Sequence, residues 1–449
     1  MQEREKLLTS DLKSLFFKLS IPGMIGMVVI GLYNFVDAIF VGQLVGKEAV
    51  GAVALMYAVV LFNQALLTLI GSGSMSVLSI AMGKKDQAKI DKLLGNMIVL
   101  LVLISGLFTI FVAFNTDSIV RFVGGKGLTH ELGVRYLKIL LIGFIPAALG
   151  PAMNFLLRAE GKMRDAMIIM GTFSILNIIL DPIFIKTLGY GIEGAAIATI
   201  ISQYLLMITQ FVYFGMGRSI ISLNKIKLRV ERDVLPEIFK VGFSQMLMCV
   251  MAMVQQIILF NSLQAYGGND HVSLMGGSYR VFMFAYLAVW GIGQGLQSVV
   301  GVNYGAGRYD RVKNAFKQFT LIGSLISVSV WILFMVFPEN ILSWFIPDPK
   351  LVADNVNLFR LFTSIFFLYV YFATVLNFFI GLGKGKEAGV IAISRQIVFF
   401  IPLALVLPKF MGVTGIWLSL PLSDLLCMIL AVFYQKRIFL NDLVELKAA

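Results

Sequence analysis

Twelve apolar runs, each near twenty residues or longer, follow one another along this chain with only short polar breaks between them. A run of that length matches the hydrocarbon thickness of a bilayer when coiled into a helix. In lipid no water is available to bond exposed peptide groups, so spans of this kind must be helical or closed into a barrel. Strand-length alternation is absent, which leaves an all-α polytopic membrane protein. The runs lie roughly at 15–41, 49–76, 93–115, 134–156, 164–186, 191–215, 236–263, 273–303, 317–338, 354–381, 388–410 and 412–434. Composition agrees: 58% of the 449 residues are hydrophobic and only 14% charged, against about a quarter charged in an ordinary soluble domain.

The net charge of +12 would suggest nucleic acid in a soluble protein. Here the basic residues sit in the breaks, so they report topology. Lys84, Lys85, Lys89 and Lys92 follow the second span, Arg158, Lys162 and Arg164 the fourth, and Arg308, Arg311, Lys313 and Lys317 the eighth. Arg218, Lys225, Lys227, Arg229, Arg232 and Lys240 gather between the sixth and seventh. The alternate breaks are poor in Lys and Arg. The expectation is a multi-pass protein of the cell membrane with both termini cytoplasmic, anionic lipid headgroups beside the basic loops and no nucleic-acid partner. Cys249 and Cys427 each lie in an apolar run with no Cys or His at metal spacing, which argues against a disulfide framework or structural zinc.

The halves repeat. RAEGKMRDA at Arg158 answers to IGLGKGKEA at Ile380, with Gly161 opposite Gly383 and Asp165 opposite Glu387. GIEGAAIA at Gly191 answers to GVTGIWLS at Gly412. Around the second and eighth spans the letters pair Gly83 with Gly307, Asp86 with Asp310 and Lys89 with Lys313. The offset stays near 222 residues and covers six spans, so the repeats are parallel and related by an axis along the membrane normal. The expected organisation is a six-helix lobe over 1–215, a cytoplasmic linker over 216–235 and a second six-helix lobe over 236–449. Two such lobes can rock about a central site, as alternating access requires.

Ionisable side chains inside apolar spans are costly, about 2.5–3.5 kcal/mol each on insertion scales, and default to function. Asp37 has Asn34 and Tyr33 one turn before it and no basic neighbour. Asp181 has Asn177 one turn before it and Pro182 after it, and a proline there frees a backbone carbonyl. An acid so placed can take up a proton, and these oxygens also suit Na+, with Asp37, Asp181 and Asn177 as its ligands. Arg395 and Asp424 fall in neighbouring spans and are expected to form a structural ion pair. The second half carries Leu259 near the Asp37 position, so the halves share a scaffold and not the chemistry. His130 and His271 fall near loops without partners at metal spacing and read as residues with no special role. The abundance of Phe and Met suits repackable apolar surfaces.

The NFVDAIFVG segment, the LRAEGKMRDAM break, the LNIILDP segment and GIEGAAIATIISQ together resemble the multidrug and toxic compound extrusion (MATE) family, and in particular a bacterial branch with its acids in the N-terminal lobe. The resemblance covers nearly the whole chain. It implies two lobes in a V and a cation-coupled (H+ or Na+) antiporter, not an enzyme, that exports small cationic or amphipathic compounds as a monomer. No cofactor is implied beyond the coupling ion. By that resemblance the ion site comprises Tyr33, Asp37, Tyr136, Asn177, Asp181 and Thr199. An essential acid on the seventh span is not matched; Gln255, Gln256 and Asn261 stand there instead. The alternative is a lipid-linked saccharide flippase of the same superfamily, which needs a large cationic cavity where this sequence offers chiefly Arg395. A major facilitator transporter fits the GKKD and GRYDR breaks only loosely, and no nucleophile–base pair or phosphate loop supports a membrane enzyme. The residues that would bind substrate are not legible.

Overall fold

A computed structural model of the chain describes residues 2–223, 226–346 and 348–439, apart from the side chains of Gln2, Asn34, Ala38 and Lys47. Lys225 of the basic linker, the Asn34 side chain and the last residues of the second lobe therefore lie outside the described residues. Within them the structure is helical without a strand: α1 Gln2–Thr9, α2 Leu12–Leu44, α3 Lys47–Lys84, α4 Gln87–Phe114, α5 Thr116–Phe122, α6 Gly127–Ala159, α7 Met163–Pro182, α8 Gly191–Gly215, α9 Leu235–Gly305, α10 Tyr309–Val336, α11 Pro338–Leu342, α12 Pro349–Thr363, α13 Tyr369–Gly381, α14 Gly385–Ile393, α15 Ile401–Met411 and α16 Val413–Arg437.

Eleven helical stretches are long and apolar enough to cross a membrane, and one of them counts twice. Unbroken, the 71 residues of α9 would reach on the order of 100 Å, far beyond a bilayer. The chain turns at Gly268, whose φ of 68° and ψ of −164° lie in a region that only glycine adopts without strain. The two arms of α9 are the expected seventh and eighth spans, so twelve crossings result.

The repeat is visible in where elements begin. α4 and α10 start at Gln87 and Tyr309, α6 and α12 at Gly127 and Pro349, and α7 and α14 at Met163 and Gly385, each pair 222 apart. Left-handed caps recur with it: Gly161 and Gly383 have φ of 79° and 73°, and Lys85 and Gly307 have 60° and 71°. This corrects one stretch of the sequence pairing. Gly83 answers to Gly305 and not to Gly307, and Asp86 to Arg308 and not to Asp310. The shared letters favoured a shift of two, but the turn geometry fixes the register.

Two expected spans are interrupted. The run at 354–381 is α12 and α13 joined through a tight turn at Phe366–Leu368. The Trp331 indole donates to the Ser364 carbonyl at 2.8 Å and the Ser327 hydroxyl to that of Phe366 at 2.8 Å. These side chains satisfy backbone groups that the interruption frees, as lipid burial demands. The run at 388–410 passes from α14 to α15 through a widened π turn at Ser394–Phe400. A similar turn at Ile183–Thr187 follows Pro182. In α6, Pro146 cannot bond the Ile142 carbonyl, which accepts instead from the Tyr204 hydroxyl at 3.1 Å.

The lobes meet at the Lys/Arg-rich end. Apolar packing gives no drive between helices that lipid would not match, so close backbone approach and hydrogen bonds must supply it. A Cβ on Gly83 would stand 2.3 Å from the Val302 carbonyl oxygen, and one on Gly305 2.2 Å from that of Ile80. Gly23 and Gly291 abut in the same way, as do Gly242 and the Leu69 carbonyl. Arg158, expected beside lipid headgroups, is instead turned inward: it donates to the Gln294 side chain, and its carbonyl accepts from Ser298 at 2.5 Å. The polar N-terminus is not idle chain, because α1 crosses beneath both lobes. Arg4 donates to the Met82 and Gly83 carbonyls at 2.8 and 2.9 Å, while Asn303 and Arg308 donate to those of Leu7 and Leu8 at 3.1 and 2.8 Å. The linker lies against the N-terminal lobe through a Lys92–Asp233 ion pair at 2.7 Å, and Lys89 pairs at 2.6 Å with Glu237 in the first turn of α9. Buried Glu160 accepts from Ser219 and pairs with Lys162, and its burial raises its pKa. One apolar core runs through both lobes at this end, whereas the far half of the N-terminal lobe has a core of its own around Val41, Met56, Tyr136 and Ile185.

Gly83→Val will therefore force the lobes apart where they are pinned and cost about 1–3 kcal/mol. Gly276→Ala, where a Cβ meets nothing within 4 Å, is the control. Thermal melting of the purified proteins should show a lower Tm for Gly83→Val alone; equal melting would mean that the contact does not hold the lobes.

Candidate cation site and a second polar cluster

Two close approaches assemble the first site. A Cβ at Gly194 would stand 2.6 Å from the Phe184 carbonyl oxygen, so α8 begins directly on the π turn that follows Asp181. This sets Thr199, five residues on, beside α7. A Cβ at Gly143 would stand 2.8 Å from Ile200, which draws α6 onto the same face of α8.

Asn177 and Asp181, one helical turn apart on α7, are buried at 2% and 0% exposure. The Asn177 amide donates to the Thr199 hydroxyl at 3.4 Å, and that hydroxyl donates to the Ala195 carbonyl at 3.0 Å. From α2, the Asp37 carboxyl lies within direct interaction range of Asp181. Tyr33 from α2 and buried Tyr136 from α6 stand close enough to both carboxyls to feel their charge. All six residues that the resemblance implied thus converge in the half of the N-terminal lobe away from the lobe contact. Asp37 Oδ1, Asn177 Oδ1 and both carboxyl oxygens of Asp181 are buried and receive no hydrogen bond from a neighbouring donor group, so the two carboxyls have only each other and need a proton or a cation between them to be satisfied. Buried acceptors are rarely left so, and each costs free energy. The donor set is all oxygen, from carboxyl, amide and hydroxyl, which fits a proton or a hard cation such as Na+.

The other intramembrane charges are arranged differently. Arg395, in the π turn before α15, donates through Nε to Asp424 Oδ1 of α16 at 2.5 Å, and the Tyr369 hydroxyl donates to Asp424 Oδ2. The guanidinium also lies over the Phe372 ring, 5.5 Å from its centre. Gln396 donates to Gln255 at 2.8 Å, which gives the polar residues of the seventh span a local partner. His130 lies 3.5 Å from Asp117 near a loop. His271 falls inside α9, just past the break at Gly268, and its Nδ1 is buried without a partner.

Sequence reasoning passed over three groups. Tyr57 of α3 stands between the lobes, within electrostatic range of Tyr33 on one side and of Cys249 and Tyr279 on the other. Tyr279 and Tyr286 of α9 line the Arg395 cluster. A tyrosine in an apolar run carries no charge to betray it, and only the packing shows what it faces.

A family model described as MatE matches residues 22–183 and again 241–406. The multidrug export protein MepA of Staphylococcus aureus (strain MRSA252) is 27% identical over 420 residues, spanning 92% of this chain and 91% of that protein. An outward-facing conformation of a multidrug resistance MATE family transporter of the MOP superfamily superposes with a TM-score of 0.91 at 27% identity, covering 99% of this chain and 98% of the other. A MATE crystallised in complex with MaL6 gives 0.92 at 27% identity, covering 99% of each chain.

The two aspartate clusters predict stability changes of opposite sign. Asp181→Asn replaces one of two facing carboxyls by an amide that can donate to Asp37, and should raise the Tm by a few degrees at neutral pH, since about 1 kcal/mol moves a chain of this size by a few degrees at most. Asp424→Asn leaves Arg395 buried without its counter-charge and should cost about 3–5 kcal/mol. Melting both in the same detergent decides it; a fall for both variants would make the Asp37–Asp181 cluster a structural one.

Proposed function

Because the chain belongs to the MatE family, and is therefore a multi-pass membrane transporter and not an enzyme, we propose that it exports cationic or amphipathic toxic compounds in exchange for H+ or Na+. The coupling ion enters at Asp37 and Asp181, with Asn177, Tyr33, Tyr136 and Thr199 around them. The observation that carries this reading is the group of unpartnered buried oxygens shared by α2 and α7. Such a site gains most from an ion that supplies the missing bonds.

Coupling follows from a difference in affinity between two lobe arrangements, and from nothing else. Hydrogen bonds between the lobes, among the described residues, all lie in the Lys/Arg-rich half. With that end cytoplasmic, as the distribution of Lys and Arg suggests, the arrangement is the one open to the outside, and both termini are cytoplasmic. An ion bound between α2 and α7 draws those helices together. Because α2 also packs along α9 through Gly23 and Gly291, a change in α2 reaches the lobe contact directly. Each charge entering down a 100 mV potential supplies about 2.3 kcal/mol. The monomer is the working unit, with membrane lipids around it and no bound cofactor besides the coupling ion. The flippase alternative, which needs a large cationic cavity, loses support because Arg395 at the wall of the C-terminal cavity is paired with Asp424.

Cells producing the wild type will extrude a fluorescent lipophilic cation, and Asp37→Asn at matched expression will not. Dependence on added Na+, or abolition by a protonophore, names the ion. Efflux by Asp37→Asn at the wild-type rate would remove the acid from the coupling scheme.

A further inference from the structure

The Arg395–Asp424 cluster forms part of the wall of a cavity of about 110 Å³ within the C-terminal lobe, comparable with voids that hold a single aromatic ring. Its walls include Tyr279, Phe282, Tyr286 and Met283. Phe282 and Tyr286 stack at 5.9 Å, and Trp290 lies tilted against Tyr286 at the same separation. Such surfaces accept flat apolar groups.

The charge offered to this cavity is positive. Asp424 is 3% exposed and has its two oxygens taken by Arg395 and Tyr369, whereas Arg395 is 17% exposed. Arginine carries five N–H donors. Only Nε of Arg395 makes a hydrogen bond among the described residues, so its Nη groups are left for another acceptor. Gln396 adds one opposite need: its amide donates to Gln255, while its Oε1 is buried without a partner. The cavity therefore presents an aromatic wall, a carboxylate receptor and one acceptor for an N–H group. The N-terminal site has the reverse polarity, with acids unpartnered and no cation beside them. Tyr57 stands between the two.

We propose that this cavity binds the carboxylate end of an anionic aromatic compound, with Arg395 as the receptor, so that the transporter also takes aromatic acids of net negative charge. The carboxylate accepts from the Nη groups of Arg395 while Asp424 keeps Nε and holds the fork in place. An amide or sulfonamide N–H on the same compound reaches Gln396 Oε1. The remainder of the compound extends into the space between the lobes toward Tyr57. Export of such acids rests on the exporter reading above; their binding does not.

The test is equilibrium binding of dansylglycine and of its uncharged amide to the purified full-length protein in nanodiscs, read as dansyl emission excited through tryptophan. Trp290 beside Tyr286 is the nearby donor. Arg395→Gln alone would leave Asp424 buried and unpaired, so the double variant Arg395→Gln/Asp424→Asn is used, which keeps the cluster neutral. Wild type should prefer the acid, and the double variant should lose about tenfold or more of its affinity for the acid while keeping that for the amide, as expected for one charge-assisted hydrogen-bonded contact. Gly276→Ala, outside both polar clusters and with nothing within 4 Å of its added Cβ, should bind the acid as wild type does. Equal weakening of acid and amide would make the pair a shaping element only, and unchanged acid binding by the double variant would place the acid elsewhere; either result overturns the proposal. Acid binding that follows the predicted pattern in a protein that exports nothing would leave this site standing and remove the exporter reading instead.

Discussion

Backbone-to-backbone contact between the lobes, at glycines on both sides, is the constraint around which the remainder is arranged. Gly83 against Val302, Gly305 against Ile80, Gly242 against Leu69 and Gly23 against Gly291 bring helices closer than any side chain would allow. In lipid, apolar side chains gain little by preferring one another to the solvent, so this proximity and the hydrogen bonds it permits take over. The lobe contact also brings Arg158 and α1 into the protein: Arg158 donates to Gln294, and the α1 carbonyls of Leu7 and Leu8 accept from Asn303 and Arg308 of the other lobe. The far halves of the lobes are left without such bonds. The apolar core records the same division, continuous at one end and separate in the N-terminal lobe at the other.

On that frame the repeat supplies geometry twice and chemistry once. Element starts and left-handed caps recur 222 residues apart, yet Asp37 corresponds to Leu259, and Arg395 and Asp424 correspond to Phe173 and Ser202. Each lobe therefore carries its own polar cluster. The N-terminal cluster is under-satisfied, with four acceptor oxygens lacking partners. In the C-terminal cluster the carboxylate of Asp424 is satisfied by Arg395 and Tyr369, and only the Nη groups of Arg395 are left facing the cavity. An under-satisfied buried site has free energy to gain from a ligand, and a satisfied one resists disturbance. The same residue type, aspartate in a membrane helix, thus serves two physical purposes in one chain.

π turns accompany both clusters. One follows Asp181 and Pro182, and the other contains Arg395. A widened turn rotates the helix beyond it and re-aims the side chains within it. Period-based reading assumes a constant 3.6 residues per turn, so it cannot show which residues such a turn brings to face a neighbour.

Length and periodicity of the apolar runs decided the class of fold, because in lipid only a helix satisfies the backbone of a single span. Lys and Arg in alternate breaks, and glycines recurring at a fixed offset, determined the two-lobe plan. Asp37, Asn177 and Asp181 were legible as well, since charge in an apolar run is costly enough to stand out. Tyr136 and Thr199 came only with the family resemblance, because an uncharged residue leaves no such mark. What the tertiary structure alone decided is proximity. Arg158 reads as a loop cation and lies in a lobe contact; Tyr57, to which the sequence draws no attention, stands between two polar clusters; Gly83 pairs with Gly305 and not with the glycine that its neighbours' letters suggested. Each depends on which helix lies alongside, and that is fixed by backbone approach between segments well over a hundred residues apart, a distance over which no local pattern in the sequence extends.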